Sequence, residues 1–165
     1  MDGPVKATVR EQRLTMRVLA QWRAFAEGKD FPRRSQIDAQ RIGADWANCL
    51  MIDLDPDLAR SRFSFVGDHL RDPSWPIFER QYVTDCLENT LLHLATSYID
   101  RVVSRRTVIS AGGTGIHLGT PIIYRSILMP LSEGGDRIDG IFGAANYREI
   151  PGGESVHDLQ EHGLS

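Results

Sequence analysis

The chain has 165 residues, 41% of them hydrophobic and 25% charged, which fits one domain folded around a single core. With 19 Lys and Arg against 22 Asp and Glu, the formal net charge is -3, and no clustered basic excess exists to neutralise phosphates, which argues against nucleic-acid binding. No apolar stretch reaches the ~18 residues of a membrane span, and the N-terminus lacks a basic region followed by an apolar run, so a soluble, cytoplasmic protein without membrane insertion is expected.

From about Arg10 to Glu27, the residues Leu14, Val18, Trp22 and Phe25 recur at helical spacing, with Gly28 as a stop. This predicts an amphipathic helix. Arg10, Arg13 and Arg17 form a stripe beside the apolar face, suited either to an acidic partner or simply to solubility. Residues 48–54 and 62–66 read as two strands joined through Asp55, Pro56 and Asp57, with Phe63 and Phe65 sharing one face. Cys49 and Cys86 belong to no Cys-x-x-Cys pair and are expected as reduced core thiols.

Val83, Leu87, Leu91, Leu94, Tyr98 and Val102 trace one face of a long helix. Residues 107–111 follow as a short strand, and the glycine-rich stretch from Gly112 to Gly119 reads as a loop. Two apolar runs, containing Ile127 and Leu128 and then Ile138, Ile141 and Phe142, flank Gly134 and Gly135 and predict a β-hairpin with a tight two-residue turn. Residues after Pro151 are polar and are expected to fray. The order of helix, two strands, helical crossover and three strands suits an α+β fold with an antiparallel sheet.

The terminal hairpin, with Tyr124, Arg125, Leu128, Pro130, Leu131, Ser132 and Gly135, resembles that of the PAS sensory-domain superfamily, and closely a bacterial branch of stand-alone single-domain PAS proteins. The resemblance takes in Trp22, Phe31, Pro32, Ile37, Asp38 and the run from Val103 to Gly113, covers roughly 14–148, and weakens between Gly67 and Phe78. Ser64 stands where many members carry a basic residue. The fold implied is PAS-like: a five-stranded antiparallel sheet with a long helix and short helices on one face, plus the N-terminal amphipathic helix. One domain spans 1–165, with the N-terminal helix at 9–28, the PAS core at 46–148 and a flexible tail at 151–165.

The function implied is that of a stand-alone sensory or adaptor protein in bacterial signal transduction, acting through protein–protein association. Homodimerisation is expected, with Leu14, Val18, Trp22 and Phe25 as the candidate dimer or partner interface, the alternative being that this helix covers one face of the chain's own sheet. Histidine kinases or other two-component proteins are the further partners the resemblance implies. No cofactor is predicted, although room is left for an unidentified small-molecule ligand. Its candidate lining is Phe65, Leu94, Tyr98, Tyr124, Arg125 and Asn146. Arg125 either grips a ligand carboxylate or pairs with a local acid at the sheet surface.

Reactive centres are poorly represented. Asp53, Asp55 and Asp57 start like a calcium loop, but Leu58 replaces the sharp-turn glycine and Ser64 the bidentate glutamate, so a polar turn is expected. The stretch from Gly112 to Gly119 lacks the lysine of a P-loop, and Gly-x-Ser-x-Gly is absent. Some PAS domains hold haem through a helix histidine, yet His93 points away from the apolar stripe, which disfavours haem. His117 sits in the glycine-rich stretch, and His157 and His162 lie in the tail without other ligand types nearby. No metal site and no enzymatic activity are expected. Two other readings stay open: an interaction domain filled by its own side chains, and an enzyme using Tyr98, Arg125 and His117.

Overall fold

The structure, a computed structural model, describes the backbone of residues 2–73 and 80–151 and the side chains from Arg13 onward within them. Helix α1 spans Asp2–Phe25 and gives way to Glu27 and Gly28, both with positive φ (52° and 81°). It therefore begins well before the 9–28 expectation. Five strands follow: β1 (Cys49–Asp53), β2 (Arg62–Val66), β3 (Ile109–His117), β4 (Thr120–Leu131) and β5 (Gly140–Glu149). They form one antiparallel sheet in the order β2-β1-β5-β4-β3. With the helices of the crossover inserted between β2 and β3, this is the PAS-like α+β arrangement expected. The tail expected at 151–165 lies, beyond Pro151, outside the described residues.

Strand alternation divides the sheet into two apolar faces, because successive side chains point to opposite sides. On one face Leu50, Ile52, Phe63, Ile122, Leu128 and Ile141 pack beneath the crossover helices. The opposite face presents Met51, Ile127, Met129 and Phe142 to Leu14, Val18, Trp22 and Phe25 of α1. Trp22 anchors the helix further, its Nε1 donating to the Pro130 carbonyl at 2.9 Å. Arg17 adds a bidentate pair with Asp45 at 2.8 Å.

Four local expectations are corrected. The crossover is not one long helix: a 3-10 turn at Val83–Asp85 leads to α3 (Leu91–Thr96) and α4 (Ile99–Arg105). Asn89, at φ 65°, breaks the backbone before Leu91, and Tyr98, at φ -118° and ψ 25°, breaks it again. A short α2 (Ala39–Ile42), capped by the Asp38 carboxylate, precedes β1.

Phe63 and Phe65 do not share a face. Met51 pairs with Phe65 while Ile52 pairs with Phe63, so Ser64 is the extra residue of a β-bulge and resets the alternation. Phe63 faces the crossover helices, whereas Phe65 turns to the α1 side and stacks on Trp46 at 4.3 Å.

The glycine-rich stretch is strand, not loop. β3 continues to His117, and only Leu118 and Gly119, with φ of 53° and 75°, form a two-residue turn to Thr120. Gly115 is required by close approach: a Cβ there would lie 2.4 Å from Leu94 Cδ1 and 2.8 Å from the Asn89 carbonyl oxygen. Conversely, the β4–β5 connection is longer than the tight turn expected, since β4 ends at Leu131 and β5 begins at Gly140. Ser132 organises that loop, its hydroxyl donating to the Arg137 carbonyl and accepting from Gly135 N.

Candidate functional site

α3 and α4 pack on the sheet face that carries Leu50, Ile52 and Leu128, and the 3-10 turns at Leu58–Arg60 and Val83–Asp85 run beside them. Between these elements lies a groove of about 320 Å³ whose walls include Leu58, Val83, His93, Thr96, Ile99 and Asp100. Leu58, Val83 and Ile99 make its apolar part. Thr96 and Ser97 turn their hydroxyls back to the Leu92 and Leu94 carbonyls, at 2.7 and 3.0 Å, as helix hydroxyls commonly do. His93 is half-buried, and its Nδ1 accepts from Asn89 N at 3.2 Å. His93 and the exposed Asp100 put an imidazole and a carboxylate among the groove's lining groups.

Tyr98 links this helical layer to the sheet. Its ring is 2% exposed, and its hydroxyl shares a 2.7 Å hydrogen bond with the fully buried Ser126 on β4. Burial pushes the phenol well above its ordinary pKa, so it stays neutral and serves as a fixed polar tie. Burial likewise pushes the Cys86 thiol up to about 12 and the Cys49 thiol up further. Both are free, buried thiols without thiolate character.

The six candidate lining residues do not line one cavity. Leu94, Tyr98 and Tyr124 gather on the helix-covered face. Phe65 lies on the other side of the sheet, as do Arg125 and Asn146, which are paired neighbours on β4 and β5. The bulge at Ser64 moved Phe65; alternation along β4 and β5 separates the other two from Tyr124. Arg125 lies against Gly112 and makes no ion pair among the described residues. Asn146 Oδ1 accepts the Tyr147 amide at 3.0 Å. No pattern in the sequence marks Leu58, Val83, Thr96 or Ile99 as a ligand contact, because the groove forms only where the crossover breaks.

Leu14, Val18, Trp22 and Phe25, the candidate dimer interface, are 1–8% exposed against the chain's own sheet. Pairing through that stripe would require α1 to leave it. The acidic turn behaves as a turn: Asp55 and Asp57 accept backbone amides of Asp57 and Ala59, and Asp53 pairs with Arg34 and Arg80. Among the described residues no cluster of three metal-ligating side chains occurs, and no helix is long and apolar enough to cross a membrane. His117 is buried, stands edge-on to Tyr147 at 4.6 Å, and has an unpartnered Nε2. A polar depression of about 440 Å³ also separates Lys29 and Arg33 from Glu133 and Gly134; its charge is mixed, and the hydroxyl of its buried Ser132 is already bonded to the Arg137 carbonyl.

No family model matches the chain, nor does any curated protein. Solved structures similar to it include the light-state LOV domain of the blue-light photoreceptor Aureochrome1, at 12% identity and TM-score 0.43, covering 71% of this chain and 91% of that one. A light-oxygen-voltage domain studied with a flavin analogue is similar at 10% identity and TM-score 0.45, over 76% and 96% of the two chains. A LOV protein of Rhodobacter sphaeroides is similar at 12% identity and TM-score 0.41, over 69% and 66%. At identities this low and superpositions this loose, what defines the PAS-like fold of this chain is its own strand order and crossover.

Proposed function

We propose that the chain is a sensory or adaptor module in which a small molecule in the groove beside α3 and α4 biases how the helical layer sits on the sheet. The observation that carries this reading is the groove of about 320 Å³ set between the broken crossover helices and two 3-10 turns. Its volume lies at the lower end for small-molecule sites, and its apolar walls with a few polar groups are of the usual kind. The occupant that fits has a compact apolar body for Leu58, Val83 and Ile99 and a polar end for His93 and Asp100. The output passes through protein association, with a histidine kinase or another two-component protein as the partner class. No catalytic step is assigned: the phenol and both thiols with raised pKa values are buried and neutral, which supports a binding role.

Native mass spectrometry of protein purified from its own host tests this. A bound organic mass at about one per chain is expected, lost when Ala59→Trp fills the groove from its exposed rim. A bare chain, or a mass that survives Ala59→Trp, would contradict the reading. A bare chain would favour an interaction domain without a ligand, for which the dense packing of Tyr98, Phe63, Leu50 and Leu128, each at most 2% exposed, is the supporting observation.

A further inference from the structure

The sheet has two edges, and the chain treats them differently. Along β2, residues 80–83 cover the edge: Phe63 N donates to the Gln81 carbonyl at 2.9 Å, Arg80 N to Phe63 O at 3.2 Å and Val83 N to Ser61 O at 3.0 Å. Along β3, the Asn89 carbonyl takes the Ile116 amide at 2.8 Å. The turn at Leu118 and Gly119 makes His117 and Thr120 a hydrogen-bonded pair, so the backbone groups of Ser110, Gly112 and Thr114 point outward. Among the described residues none of these outward groups has a partner.

Natural edges are usually blunted by charge, proline, a bulge or a covering segment. Ile109–His117 contains no Lys, Arg, Asp, Glu or Pro, and its pairing with β4 runs through nine consecutive pairs without a bulge. Independently of what occupies the groove, we propose that this edge is a homodimer interface, where a second copy pairs antiparallel about a two-fold axis at Gly112. The two five-stranded sheets then continue as one.

The occupant is read from the strand itself. Gly112 is the midpoint of the bare stretch, and the sequence is nearly symmetric about it: Ser110 faces Thr114 of the other copy, Ala111 faces Gly113, and Gly112 faces itself. Ser–Thr pairs across antiparallel strands are favourable, and the small residues at the centre let the backbones meet without obstruction. Three outward residues on each copy exchange six backbone hydrogen bonds. Ile109–His117 itself carries no charged side chain, while Arg125 of β4 lies over Gly112. The two-fold uses both β3 edges while β2 is covered, so the assembly closes as a dimer instead of growing into a fibre. Asn89 on Ile116 ends the ladder on each side. So short a contact makes a weak dimer.

Sedimentation velocity from about 1 to about 500 µM, with amide exchange at the same concentrations, tests the proposal. The mass is expected to approach twofold, and the Ser110, Gly112 and Thr114 amides to slow as it does. Ser110→Lys with Thr114→Lys sets like charges opposite each other at both ends and is expected to leave a monomer. Ser110→Lys with Thr114→Glu sets opposite charges there and is expected to keep the dimer. A monomer throughout the range, unchanged exchange at these three amides in wild type, or equal behaviour of the two double variants would overturn the proposal.

Discussion

Tyr98 and Ser126 are the polar pair on which the helical layer is hung, and their value lies in mutual satisfaction. Tyr98→Phe strands the Ser126 hydroxyl, fully buried on β4, and is expected to cost about 1–3 kcal/mol. Adding Ser126→Ala should recover part of that loss, because no buried polar group then lacks a partner; urea unfolding of the two single variants and the double variant checks it. If the two losses simply add, the pair is not coupled. His117 gives the pH dependence. Burial lowers its pKa below the ordinary 6.5, against the opposing influence of Asp72 and a hydrogen bond to the His69 backbone. The folded state therefore holds the ring neutral while the unfolded chain takes up a proton, so stability present above about pH 6.5 falls as pH drops below that value. His117→Gln should flatten the profile between pH 7.5 and the folded-state pKa in denaturant titrations at stepped pH; an unchanged slope would contradict the assignment.

At the scale of elements, α1 works as a lid over the second sheet face. Trp22→Ala removes a ring that is 8% exposed and its bond to Pro130, and is expected to destabilise by about 3–5 kcal/mol in a melt or urea titration. A loss below about 1 kcal/mol would mean that α1 is not docked as described. Gly115→Ala tests the approach of β3 to the crossover. The added methyl meets Leu94 and the Asn89 carbonyl, with an expected cost of about 1–3 kcal/mol and faster amide exchange in α3. These elements also show what was legible beforehand. The spacing of Leu14, Val18, Trp22 and Phe25 predicted both α1 and its buried face. The helical stripe from Val83 to Val102 named mostly buried residues but hid two breaks, since short helical pieces in sequence keep the same period across Asn89 and Tyr98. Glycines from Gly112 onward read as a loop by local propensity, whereas tertiary proximity to Leu94 and Arg125 demands them within a strand. The bulge at Ser64 leaves no mark in an alternating pattern, and that single extra residue carried Phe65 to the wrong side.

For the whole molecule, both sheet faces are covered by the chain itself, one by α1 and the other by the crossover. Along β4, Tyr124, Ser126 and Leu128 alternate with Ile123, Arg125, Ile127 and Met129, so apolar residues on both sides require that cover. The groove was not visible, because it arises where four separated segments meet and no motif marks it. Under the proposed function, the occupant of the groove controls the helical layer and not the sheet. Hydrogen exchange measured on protein as purified and again after stripping by unfolding and refolding tests this most directly. Faster exchange in α3 and α4 after stripping, with β4 and β5 unchanged, is the predicted result; identical exchange before and after, or loss of protection spread evenly over the sheet, would contradict it.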